Sequence, residues 1–91
     1  MNRRPSALDY RRDARIAKHL GVTPTGLRVL AKMTTHPEGK WTGGLSSGNP
    51  GSAMPVLIRQ GLVINPDDVP RHGTITDAGR YIVRRAREMG W

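Results

Sequence analysis

The sequence predicts an α+β fold, mainly α with a small antiparallel β-hairpin. Three observations carry that expectation. Helix-start signals at Ser6, at Thr23-Pro24 and at Thr76 each stand in front of apolar residues that recur at helical spacing. One stretch of the chain, GLVINPDDVPRHGTITDAGR (61–80), sets an apolar run, a turn rich in proline and acid, a second β-prone run and a helix start one after another. The chain has 91 residues, with no internal repeat and no dividing linker, which suits one domain with a single modest core.

Taken in order, Ser6 caps a helix that runs to about Leu20 and is ended by Gly21. Projected at about 100° per residue, Arg11, Arg12, Arg15, Lys18 and His19 fall on one arc, and Tyr10, Ala14, Ile16, Ala17 and Leu20 on the other. Thr23 and Pro24 start a second helix that reaches about Thr35, with Leu27, Val29, Leu30 and Met33 inward and Thr25, Arg28 and Lys32 outward. His36-Pro37-Glu38-Gly39 stops it.

The segment KWTGGLSSGNPGSAMPVLIRQG (40–61) is the least regular. Residues 40–42 fit a short strand, and Thr42 fits the cap of a brief, glycine-weakened helix ending near Gly48, although the state of 40–51 stays open. A helix over 52–60 follows, with Pro55 in or beside its first turn, where no intrahelical N–H is lost. Its outward arc holds Ser52, Pro55, Val56 and Arg59, and Ala53, Leu57 and Ile58 turn inward. Residues 62–64 and 74–76 read as antiparallel strands around a 66–73 loop too long for a tight hairpin. Thr76 then caps a last helix from Asp77 to about Met89, with an apolar stripe of Ala78, Ile82, Ala86 and Met89 and an outer arc of Arg80, Arg84 and Arg87.

Charge narrows the function. The net charge of +8 favours a polyanionic partner, and its distribution says where. Residues 1–33 carry eight cations against Asp9 and Asp13, a net +6; residues 34–73 are neutral; residues 74–91 carry +2. With no cysteine, neither a disulfide framework nor a thiolate metal site is available. The basic N-terminus lacks an apolar signal core, and no stretch approaches the roughly 18 apolar residues of a membrane span, so a soluble, cytoplasmic protein is expected.

TPTGLRVLAKMTTHPEG (23–39), GLSSG (44–48), MPVL (54–57), QGLV (60–63) and TITDAGR (74–80) follow one another as in a winged helix-turn-helix domain. Over residues 23–91 the chain resembles the MarR and PadR types of bacterial transcription regulator. That resemblance implies a winged helix domain over 23–91, with its wing at 62–76 and a C-terminal helix at 77–90. Residues 1–22 form an added basic helix packed on it. It also implies duplex DNA as partner and a homodimer; no cofactor is expected. GLV and TIT become the wing strands and DDVPRH the wing tip. Two departures matter: WTGGLSSG is several residues shorter than the usual helix before the recognition helix, and Asn49, Pro50, Gly51 and Pro55 shorten or kink the recognition helix itself.

The expected nucleic-acid contacts are therefore Arg11, Arg12, Arg15 and Lys18 on the basic helix, Ser52 and Arg59 on the recognition helix, and Arg71 and His72 at the wing tip. Of the recognition-helix residues only Arg59 is a strong base reader. Arg28 and Lys32 join the set through a rival helix-turn-helix register, ARIAKHLGVTPTGLRVLAKM (14–33), in which Ala17, Gly21, Leu27 and Leu30 hold the packing positions. The alternative is a winged helix that binds an acidic or apolar protein surface, with Met54, Pro55 and Val56 as the contact.

An enzyme is not expected. His19, His36 and His72 lie on separate elements without ligand spacing, and Asp67-Asp68 suits a turn. GGLSSGNPG lacks the Gly-Lys-Ser/Thr that holds phosphate and magnesium, and Trp41, in a chain without phenylalanine, belongs to the core.

Overall fold

The computed structural model describes residues 7–41, 53–66 and 72–91, with side chains from residue 11 onward. The helices are α1 (Ala7–His19), α2 (Pro24–Met33), α3 (Ala53–Arg59) and α4 (Asp77–Glu88); a 3₁₀ turn covers Pro37–Gly39; the strands are β1 (Lys40–Trp41), β2 (Val63–Ile64) and β3 (Gly73–Ile75). The fold is mainly helical with a three-stranded antiparallel sheet, α+β as expected. The sheet is larger than the hairpin read from sequence, because β1 pairs with the free edge of β3, giving the order β1-β3-β2. Lys40 faces Thr74 and Trp41 faces Gly73 across one ladder; Val63 faces Ile75 and Ile64 faces Thr74 across the other.

α2 is the central helix, with α1, α3 and α4 all packed on it. Thr23 sits in extended backbone as N-cap, its hydroxyl accepting from the Gly26 N–H at 2.9 Å, with Pro24 in the first turn. The helix stops at Met33, two residues earlier than expected. The Thr34 and Thr35 hydroxyls donate back to the carbonyls of Ala31 and Lys32, which meets end-of-helix acceptors without another turn. Leu27, Val29, Leu30 and Met33 are all buried, and with Ile16 and Ala17 of α1, Leu57 of α3, Val63, Ile75 and Val83 they form one core. Trp41 joins it at 3% exposure, opposite Gly73, where a Cβ would lie 2.5 Å from Val63 Cγ1 and 3.1 Å from Met54 Sδ.

Four side chains depart from the sequence expectations. Ala14 and Ala78, projected inward, are exposed; Val83, outside the projected stripe, and Met54, expected in an apolar surface contact, are buried. Ala78 fails as a stripe residue because α4 meets the sheet at Gly79: a Cβ there would lie 2.4 Å from the Leu62 carbonyl oxygen and 2.6 Å from Ile75 Cγ1. The inward line therefore runs through Gly79, Val83 and Ala86, with Ile82 and Met89 half-buried beside it. Ala14 lies one residue too far around α1, whose packing is carried by Ile16 and Ala17. Met54 is drawn inward because the two-turn α3 must bury three residues, Ala53, Met54 and Leu57, to hold against α2.

α3 ends at Arg59. The Gly61 N–H donates to the Ile58 carbonyl and the Leu62 N–H to the Leu57 carbonyl, both at 3.0 Å. This closure needs the left-handed backbone of Gly61, at φ 75°. It turns the chain straight into β2. Thr76 then caps α4, accepting from the Gly79 N–H at 3.1 Å while its own hydroxyl donates to the Gly61 carbonyl at 2.8 Å. One threonine thereby ties the start of α4 to the turn that ends α3.

Candidate nucleic-acid interface

On α1 the burial of Ile16 and Ala17 against α2 fixes the facing of the helix, and Arg11, Arg12, Arg15, Lys18 and His19 are exposed on the other side. At 1.5 Å per residue, the row from Arg11 to Lys18 spans about 10 Å. Arg12 Nε lies 3.7 Å from the Asp13 carboxylate, with more than half of the arginine side chain in solvent; an exposed contact of that length holds little energy.

Arg28 and Lys32 are exposed one turn apart on α2. Lys32 Nζ stands 5.7 Å from the centroid of the Trp41 ring, and the His36 ring stacks on the same tryptophan at 5.5 Å and 24°. His36 Nδ1 is 2.9 Å from the Lys40 carbonyl oxygen. The indole Nε1 is buried without a hydrogen-bond partner among the described residues.

Arg59 is exposed in the last turn of α3. Next to it, Gln60 Nε2 donates to the Gly21 carbonyl at 2.7 Å, so the end of α3 is tied to the turn that follows Lys18 and His19. The first half of α3 is different in character. Pro55 is exposed and Val56 half-buried, beside an open groove of about 220 Å³ shared with Thr23, Thr25 and Ala53, and among the described residues no cation lines it.

His72 is half-buried at the start of β3, in a groove of about 290 Å³ with Lys40, Asn65 and Thr74 among its walls. Lys40 is also 2.9 Å from Glu38, and its hydrogen bond and charge hold the Glu38 carboxyl below its ordinary pKa. Ser52 and Arg71 lie outside the described residues, as do the expected helix near Gly48 and most of the wing tip.

Of the residues expected to contact nucleic acid, the α1 set shares one exposed face, and Gln60 links Arg59 to the end of that helix. His72 stands on the sheet in the company of Lys40, a neighbour that the sequence reading did not include. Tyr81 was also missed: it is half exposed on α4, one turn before Arg84 and about 60° around the helix from it.

Among the described residues, no three His, Cys, Asp or Glu side chains are grouped to hold a metal, and no helix is long and apolar enough to cross a membrane. The chain matches no protein-family model, no curated protein and no solved structure.

Proposed function

We propose that the chain is a winged-helix DNA-binding protein, a small dimeric regulator of bacterial or phage type, that grips duplex DNA mainly through phosphate contacts from α1. The observation that carries this reading is the row Arg11, Arg12, Arg15 and Lys18, held outward by the burial of Ile16 and Ala17. Like charges three and four residues apart destabilise a free helix, and a polyanion removes that cost. The winged-helix part is supported by the element order α2-β1-α3-β2-β3, with β1 on the far edge of the hairpin. Base reading is slight, because a helix of seven residues with Pro55 and Val56 outward offers one strong donor, Arg59.

The test is a salt titration of binding to a duplex of random sequence. Four α1 contacts give a slope of log K against log salt of about −3.6, and replacing Arg11 and Arg15 with alanine flattens it by about 1.8. A slope that this double variant leaves unchanged overturns the reading.

The apolar groove at Val56 favours a second reading, a winged helix that docks a protein. Met54, being buried, drops out of the contact expected from sequence, leaving Pro55 and Val56. On that reading Val56→Asp abolishes partner binding and spares duplex binding.

A further inference from the structure

Tyr81 is 51% exposed on α4, with the Arg84 guanidinium 5.4 Å from its ring centroid. Arg80 and Arg87 are exposed together on one flank of the helix, about 90° around from the buried line of Gly79, Val83 and Ala86, with the Arg80 guanidinium beside Gly39. Glu88 is taken by Arg85 at 2.7 Å, and Asp77, three residues before Arg80, forms no ion pair among the described residues, so no described acid pairs with Arg80, Arg84 or Arg87. Asp77, Arg80, Tyr81 and Arg84 line an open groove of about 410 Å³.

A basic helix face by itself is solvated charge. The aromatic ring changes its chemistry. Tyr81 does not fill the core, and its ring is held against a planar guanidinium, a pairing on which a base stacks well. In a duplex the faces of the bases are already stacked on one another, leaving only phosphates and groove edges. An exposed ring among unpaired arginines instead suits unpaired nucleotides, with the base on the aromatic and the phosphates on the cations.

We infer that the outer face of α4 is a binding site for single-stranded nucleic acid. An unpaired base stacks on the Tyr81–Arg84 pair, and the strand runs on across the flank of the helix, where Arg80 and Arg87 hold phosphates. This site is on a different helix from the duplex contacts proposed above, since α1 and α4 each pack on α2.

Fluorescence anisotropy with a short labelled oligothymidylate, beside a blunt duplex of the same length, tests it on the full chain. Tyr81→Leu, an exposed change that keeps apolar bulk, should weaken oligothymidylate binding about tenfold and Tyr81→Phe should retain it. Duplex affinity should stay within about twofold in both variants, because stacked bases offer no face to the ring. Replacing Arg80 and Arg87 with glutamine should lower the single-strand salt slope by about 1.4. The inference is overturned if oligothymidylate does not bind, if Tyr81→Leu leaves its affinity intact, or if that variant weakens strand and duplex equally. The duplex reading is tested on α1 and stands or falls apart from this one.

Discussion

Gly79→Ala tests how closely α4 is seated on the sheet. Alanine is the better helix former, by up to about 1 kcal/mol, so propensity alone makes this a stabilising change. The structure says otherwise. The new Cβ would start 2.4 Å from the Leu62 carbonyl oxygen and 2.6 Å from Ile75 Cγ1, and the first of these neighbours is backbone. Ordinary contact requires α4 to retreat by about 1 Å. The Thr76 N–H, which donates to that same Leu62 oxygen at 3.0 Å, is drawn along with the helix, so its bond lengthens to about 4 Å and is lost. Overpacking costs about 1–3 kcal/mol and the lost bond about 0.5–1.5, against the gain of about 1, leaving a net destabilisation of about 1–3 kcal/mol. Urea denaturation followed by far-ultraviolet circular dichroism measures it as a lower midpoint at unchanged slope. In a domain of this size the melting temperature falls by about 4–8 °C per kcal/mol. A Gly79→Ala chain as stable as the parent, or more so, would refute the close seating of α4.

Further outcomes follow from single contacts. Thr76→Val keeps the shape but loses the cap on Gly79 and the bond to Gly61, and should cost about 1–3 kcal/mol in the same denaturation assay, with Thr76→Ser close to the parent. Glu38 holds left-handed backbone at φ 58°, so Glu38→Gly should raise the melting temperature by about 5 °C; a fall would show that the Lys40 pair outweighs the backbone cost. Because Lys40 lowers the folded-state pKa of Glu38, the stabilisation from this pair is full above the ordinary value of 4.5 and is lost as pH falls through the lower folded value. Glu38→Gln should therefore flatten the acid limb of stability against pH, and an unaltered limb counts against the pairing. Arg59→Ala should narrow the spread of affinities among duplex sequences in a library selection, each strong base contact being worth about 1–3 kcal/mol; an equal loss on every sequence would make Arg59 a phosphate contact instead.

The helices were legible because their signals are local. Thr23 and Thr76 cap where their sequence context placed them, and Ile16, Ala17, Leu27, Leu30 and Leu57 point inward as their spacing implies. What escaped reading depended on partners distant in the chain. The edge pairing of β1 with β3 joins residues more than thirty positions apart, and nothing in Lys40-Trp41 names Gly73 and Thr74 as neighbours. Ala78 and Gly79 were indistinguishable as small residues until the Leu62 carbonyl decided which of them faces the sheet. The same holds for the candidate site. The α1 face could be projected from one helix, whereas the bond from Gln60 to Gly21, which joins Arg59 to the end of that helix, is a tertiary contact.

The charged face of α1 has a dynamic consequence. Arg11 and Arg15, and Arg15 and Lys18, are like-charged neighbours at four and three residues, each pair opposing the helix by about 0.2–0.5 kcal/mol. Against them stand the buried Ile16 and Ala17. The amides of α1 should therefore exchange with deuterium sooner than those of α2, most of all at low ionic strength. A bound polyanion cancels the repulsion and slows exchange over residues 11–19 in particular. Occupancy can then be read from the backbone of one helix, whatever base sequence the partner carries.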